Sequence, residues 1–387
     1  MTEPLPSEAL SASPLPRVFD SEGFRHEVFR PLLSHADYDA LLLAWRRPLA
    51  GGPRRLVVLK QVEVPPGHEG RQRALEEVRL SAHLHHPNIA RVLGLAEYQG
   101  IACVVLEHMR GAFLGTLLSA GMVAGRKPSP AFAAFVAAEA AHALDYASHC
   151  EDDRGRPLHI LHRAVSPMTL RLGHRGRVKL CNFGAAFSEL LGRMPTPPRV
   201  LRGNLAYAAP ELLHAAQRGL PGLLSSLAVD ARADIFSLGL VLLEMLAGHH
   251  PLDPPDAPPR RPSRGALRLV SGVRAERSSW ASLEVLADRL LRFGPEAVER
   301  AAPRAPARLK AVVHRALCLE PAQRYPSAAE LRDDLRAYLR GLARPYGVSE
   351  AALEMATLLS RACALKRPQA HPVELGVLPW PKAFGVR

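Results

Sequence analysis

The sequence predicts an α+β chain of two lobes, a small β-rich lobe followed by a larger helical one. Three observations predict it. Short β-prone runs broken by Gly and Pro fill the chain up to about residue 107. Beyond Gly111 the runs become long, Ala- and Leu-rich and helical in period. Of the 387 residues 48% are hydrophobic, enough for a sizeable core, and a charged fraction of 22% excludes a wholly disordered chain.

Residues 1–25 are rich in Pro and Ser without periodicity and are expected to be a flexible leader. The small lobe is expected over 26–107, with strands at Tyr38–Trp45, Arg55–Val62, Ala90–Tyr98 and Gly100–Glu107. One helix interrupts them, Gly70–Leu84, with Ala74, Leu75, Val78 and Ala82 on one face and Arg and Glu opposite. The turn at His86, Pro87 and Asn88 follows.

The large lobe is expected over 108–342. Ser129–Cys150 reads as an Ala-rich helix opened by Ser-Pro. Short strands are expected at His159–Leu161, Thr169–Leu172 and Arg177–Cys181, the last two joined by a turn from Gly173 to Gly176. Asp234–Leu246 is apolar nearly all round and should be a buried central helix. Pro251–Arg264 reads as a Pro/Arg loop, and Pro306–Leu319 and Ser327–Leu342 as surface helices, Ser327 capping the second. A C-terminal extension over 343–387 holds one more helix, Ser349–Ala364.

The formal charge is +13, from 50 Lys+Arg against 37 Asp+Glu, yet only six of those cations are Lys. No basic stretch interleaved with aromatics and no zinc-type Cys/His spacing accompanies the charge, so a nucleic-acid role is not expected. Five cysteines at 103, 150, 181, 318 and 363 form no CxxC pair and read as free thiols of a reducing compartment. The N-terminus lacks the cations and apolar stretch of a signal peptide. The longest apolar run, Phe236–Gly248, is too short to span a bilayer and contains Glu244. A cytoplasmic location is therefore expected.

Several short segments occur in an informative order. Val57, Val58, Leu59 and Lys60 are followed by Glu77, ten residues before Pro87. Then come His162, Arg163 and Ala164 with Thr169 and Leu170; Cys181, Asn182, Phe183 and Gly184; Ala209, Pro210 and Glu211; Asp234 to Gly239; and Pro321 to Arg324. This series resembles the protein kinase catalytic domain, in the manner of bacterial Ser/Thr kinases, over residues 30–340. The resemblance implies a bilobal kinase-like fold. It implies that Lys60 is the strand Lys that meets nucleotide phosphates and Glu77 the helix Glu that holds it. Leu106, Glu107 and Met109 would border the base. His162 and Phe183 would join an apolar stack and Gly184 would close the metal-binding segment. Asp234 would accept backbone N–H groups from the catalytic loop, and Glu211 would pair with Arg324. Arg163 would face the activation segment.

The departures fall on the parts that do chemistry. Ala164 stands where the catalytic-loop Asp is expected, Thr169 where a metal-binding Asn is expected, and Asn182 where a metal-binding Asp is expected. A missing base costs about 10²–10⁴ in rate, and a neutral amide or hydroxyl holds Mg²⁺ poorly. Ser34, Ala36 and Asp39 occupy positions expected to be glycines, and Asp37 and Asp39 would repel phosphate. Val58 crowds the roof of the base pocket, and Arg171 replaces an apolar residue on its floor. The Lys60–Glu77 pair also reads as a salt bridge that only ties helix to sheet. The histidines at 83, 85 and 86 resemble the family's turn and not a metal site, and the pair His249 and His250 lacks companion ligands.

The implied function is that of a pseudokinase, a regulatory or scaffolding module in bacterial signalling without phosphotransfer. Its expected partner is a protein, such as an active kinase or another signalling protein. No catalytic residue is intact and no metal is expected; no cofactor is required, ATP stays open as a ligand, and Mg²⁺ is not expected. The alternative is an atypical active Ser/Thr kinase that uses Lys60, Glu77, Asn182 and a relocated carboxylate to transfer the ATP γ-phosphate to proteins.

Overall fold

A computed structural model describes residues 15–35, 38–62, 68–190, 204–218, 229–252 and 283–365. The first lobe is a six-stranded antiparallel sheet of β1 (Val18–Ser21), β2 (Phe24–His35), β3 (Tyr38–Pro48), β4 (Arg55–Gln61), β5 (Val92–Tyr98) and β6 (Ile101–Glu107), in the order β1-β2-β3-β4-β6-β5. β4 lies inside the sheet, and Val57 to Lys60 are all buried because apolar clusters cover both faces, so the run reads as continuous, not alternating. Helix α1 (His68–Ser81) packs on one face, where Ala74 meets Leu95, Ala102 and Val104. The other face buries Leu42, Ala44, Val57, Leu59, Cys103 and Val105. Because successive side chains alternate, the pairing of Lys60 with Val104 puts Lys60 on the face that α1 covers.

A small sheet of β7 (Gly111–Phe113), β8 (Leu170–Gly173) and β9 (Val178–Leu180) joins the lobes. Gly111 takes a φ of +155°, and a Cβ there would lie 1.8 Å from the Leu172 carbonyl oxygen, so only glycine permits this strand contact. The helical lobe holds α2 (Leu114–Val123), α3 (Pro130–Ser148), α4 (Pro210–Arg218), α5 (Arg232–Ala247), α6 (Leu283–Leu291), α7 (Pro295–Ala301), α8 (Ala307–Ala316), α9 (Ala328–Arg340) and α10 (Val348–Ala364). Its core runs through α3 and α5; α5 is buried all round and stops at Gly248, which adopts the left-handed C-cap conformation with φ 86°. Ser129 caps α3 by accepting the Phe132 N–H at 3.1 Å, and Ser327 caps α9. Among the described residues no helix is long and apolar enough to cross a membrane.

The structure corrects several expectations. Residues 15–25 are not part of a leader: Leu15 and Phe19 are buried, and β1 pairs with β2. β1 was not expected because it is a short edge strand of mixed polarity, and β2 because irregular register against β3 spoils its alternation. His159–Leu161 forms no strand, only an isolated bridge from Leu161 to Phe187. The short helices α2, α4, α6 and α7 have no sequence expectation behind them; Leu114–Val123, for instance, carries two glycines and no capping side chain. The helix expected at Ser349–Ala364 exists as α10 and docks on α2 and α3, burying Ala351, Met355, Leu358 and Ala362. Residues 1–14, most of the Pro/Arg loop, and the tail from 366 lie outside the described residues, as do the side chains of 31–40 with Ser34, Ala36, Asp37 and Asp39.

Candidate functional site

The cleft between the lobes brings together Lys60 of β4, Glu77 of α1 and Asn182, which follows β9. The Lys60 ammonium donates to Glu77 Oε2 at 2.6 Å and to Asn182 Oδ1 at 2.6 Å. Both charged side chains are buried. Asn182 holds a left-handed backbone, φ 68° and ψ 69°, which Asn tolerates better than most residues. Gly184 follows at a point where a Cβ would sit 2.7 Å from Glu77 Oε2 and 2.9 Å from Lys60 Nζ. Its lack of a side chain is what lets the segment lie against the ion pair.

The loop from His162 to Thr169 is fixed from below. Asp234, on the first turn of α5, accepts the backbone N–H groups of His162 at 2.7 Å and Arg163 at 2.8 Å. Burial pushes the Asp234 carboxyl up to about 6 against these two stabilising bonds. The His162 ring meets Phe183 edge-on at 4.7 Å, and burial holds it neutral, down to about 4. Its Nδ1 accepts the Ala164 N–H, so Nε2 is the nitrogen that donates to the Cys181 carbonyl at 3.0 Å. Arg163 donates from Nε and Nη2 to the Ala185 carbonyl at 2.9 and 2.7 Å, tying the loop to the short helical turn Phe183–Ala185.

Ala164 is buried and offers no acid or base. The Thr169 hydroxyl is absorbed by its own loop: it accepts the Ser166 N–H at 3.0 Å and lies 3.0 and 3.1 Å from the carbonyls of Ala164 and Ser166. Among the described residues no group of three or more His, Cys, Asp or Glu side chains is placed to hold a metal ion.

The connecting strand is equally occupied. Arg171 on β8 donates from Nε at 3.0 Å and Nη2 at 2.8 Å to the carbonyl oxygen of Met109, and its guanidinium stands 4.9 Å from the centre of the Phe113 ring. The register explains this contact, because Phe113 and Arg171 face each other across the β7–β8 pair. Burial lowers the Arg171 pKa. Burial, followed by the charges of Arg171, Arg110 and Arg30, drives His108 down to about 4. Glu107 turns away to Lys179, at 2.5 Å, and accepts the Arg91 N–H at 2.9 Å. Leu106 packs with the apolar cluster beneath α1.

In the helical lobe, Glu211 and Arg324 form a two-pronged pair at 2.7 and 2.9 Å. The sequence thus brings to one place Lys60, Glu77, Asn182, Gly184 and Phe183, with Met109 and Arg171 at its base. It leaves Glu107, Glu211 and Arg324 outside. It did not reveal the Lys60–Asn182 bond, the Arg171–Met109 clamp or the parts of Phe113 and Lys179. The only signal available was the unexpected cation at 171.

The protein kinase domain profile matches residues 51–334 of the chain. The tyrosine-protein kinase MasK of Myxococcus xanthus is 31% identical over 269 residues, which cover 68% of this chain and 35% of that protein. The serine/threonine-protein kinase PknJ of Mycobacterium tuberculosis is 29% identical over 275 residues, 70% of this chain and 38% of that protein. The chain spans a little over a third of the length of these relatives. Among solved structures, the kinase domain of PknI from Mycobacterium tuberculosis aligns with 84% of this chain and 99% of that one at a TM-score of 0.50 and 22% identity, a likeness of fold.

Proposed function

The chain belongs to the protein kinase domain family, and we propose that within it this chain is a pseudokinase, a folded module that regulates or scaffolds a partner protein without transferring phosphate. The observation that carries the reading is Arg171. Its guanidinium holds the Met109 carbonyl and lies on Phe113, at the floor where the family resemblance puts the nucleotide base. A ligand entering there would have to break two hydrogen bonds of a half-buried cation and leave it without them.

The rest of the cleft supports the same reading. Phosphoryl transfer is a matter of positioning and neutralising charge, with metal ions and a base at the attacking hydroxyl. Here the base position is Ala164, the Thr169 hydroxyl serves its own loop, and the amide oxygen of Asn182 is turned to Lys60. These residues do not fit Mg²⁺. The bond from Lys60 to Asn182 ties the sheet of the first lobe to the segment after β9. The five free thiols support a reducing, cytoplasmic setting.

Thermal-shift titration with ATP, with and without Mg²⁺, together with a γ-phosphate transfer assay, tests the proposal. A ligand at 100 times its Kd adds about 2.7 kcal/mol to stability, so binding would be plain; no shift is expected from the unchanged protein. Arg171→Leu, which removes the floor cation, is expected to gain an ATP shift independent of Mg²⁺. Mg²⁺-dependent transfer that Lys60→Ala abolishes would overturn the reading in favour of an atypical active kinase, which the preserved Lys60–Glu77 pair would then serve.

A further inference from the structure

We propose that α10 is an intramolecular brace for the Arg171 clamp, so that displacing this helix loosens the base of the cleft. Arg171 keeps its place only while β8 and β7 stay together, and α10 touches the turn beyond β8 and the helix that follows β7. On one side its first residue meets the β8–β9 turn. The Val348 carbonyl oxygen lies where a Cβ on Gly176 would be 1.7 Å away, so the turn and the helix are in direct backbone contact. On the other side α10 packs along α2, which begins at Leu114, the residue after Phe113. One helix therefore presses on the hairpin that carries the guanidinium and on α2, the helix that follows directly on Phe113.

A specific lock holds α10 there. The Glu354 carboxylate accepts the Ser129 N–H at 2.6 Å and the Ser129 hydroxyl at 2.7 Å, and Tyr346 donates to it at 2.8 Å. The negative charge sits at the start of α3, where the helix dipole favours it. The buried face of Ala351, Met355, Leu358 and Ala362 completes the seat. A partner that competes for this apolar face would release the clamp without entering the cleft. The proposal rests on Arg171 closing the cleft and is indifferent to whether phosphate is transferred.

Hydrogen–deuterium exchange on the full chain tests it in two directions, because coupling between two sites is reciprocal. Glu354→Ala is expected to speed exchange about tenfold or more in α10 and also in 109–113 and 170–173, while β4 and α5 stay protected. Arg171→Lys, which keeps the charge but loses the fork, is expected to speed exchange in α10, to which Arg171 is not bonded. If either effect is missing, the brace is overturned. Should Glu354→Ala fail to fold, the Arg171→Lys result decides alone. Neither readout involves ATP, so the pseudokinase reading survives or falls separately.

Discussion

Two ion pairs, one in the helical lobe and one in the cleft, are finished to different degrees. In the helical lobe all five N–H groups of Arg324 are used: Nη1 and Nη2 on the Glu211 carboxylate, and the remainder on the carbonyls of Arg232, Cys318 and Leu319. The guanidinium also lies 4.8 Å from the Phe236 ring centre. In the cleft, Glu77 keeps Oε1 buried without a hydrogen-bond partner among the described residues, and the second partner of Lys60 is a neutral amide. A buried pair is favourable only when its leftover donors and acceptors are satisfied. The first pair therefore serves the fold alone. The second leaves one carboxylate oxygen, Glu77 Oε1, buried and unsatisfied among the described residues, and is the less finished of the two.

The comparison can be broken most forcefully at Arg324. Arg324→Ala leaves Glu211 and three carbonyls stranded and is expected to cost about 3–5 kcal/mol in urea unfolding, or to prevent folding; a loss below 1 kcal/mol would mean the pair is not a lock. Asn182→Ala removes one bond from a charged donor and is expected to cost about 1.5–3 kcal/mol. Added strain from alanine at φ 68° raises that figure. Asn182→Gly, free of that strain, separates the two contributions.

Acid should sharpen the contrast next. His26, His86, His108 and His162 are each held down to about 4 in the fold, chiefly by burial, against an ordinary value of 6.5. The unfolded chain takes up protons first, so the stability present above pH 6.5 is lost as pH falls toward 4, by up to about 1.4 kcal/mol per pH unit for each ring. Asp234 acts in the opposite sense. Raised from 3.8 to about 6, its contribution is fully present below 3.8 and lost as pH rises through 6. Four rings outweigh one carboxyl, so urea midpoints should fall from pH 7 to pH 5. Asp234→Asn should steepen that fall, and a flat profile would contradict these environments. The smallest effect is expected at the α9 cap, where Ser327→Ala should cost about 0.5–2 kcal/mol and leave the exchange of β4 and α1 unchanged.

Much of this was legible beforehand, for reasons that differ by residue. Lys60, Glu77 and Asp234 could be placed because the order and spacing of their segments resemble those of the protein kinase domain, and the helix of Asp234 also because it is apolar nearly all round. The strand at Val18–Ser21 could not be, since four edge residues of mixed polarity carry no period. The same holds for α2, whose burial is imposed by α10 and the small sheet and not by its own pattern.

By itself the sequence determined the two-lobed α+β architecture and that no carboxylate stands at 164, 169 or 182, because periodicity and residue type are local properties of the chain. Only the tertiary structure decided what the replacements do. Asn182 meets Lys60 across 122 positions, Arg171 meets Met109 across 62, and Glu354 meets Ser129 across 225. Such contacts depend on strand register and helix docking, which bring distant residues within hydrogen-bonding reach. No local pattern encodes them.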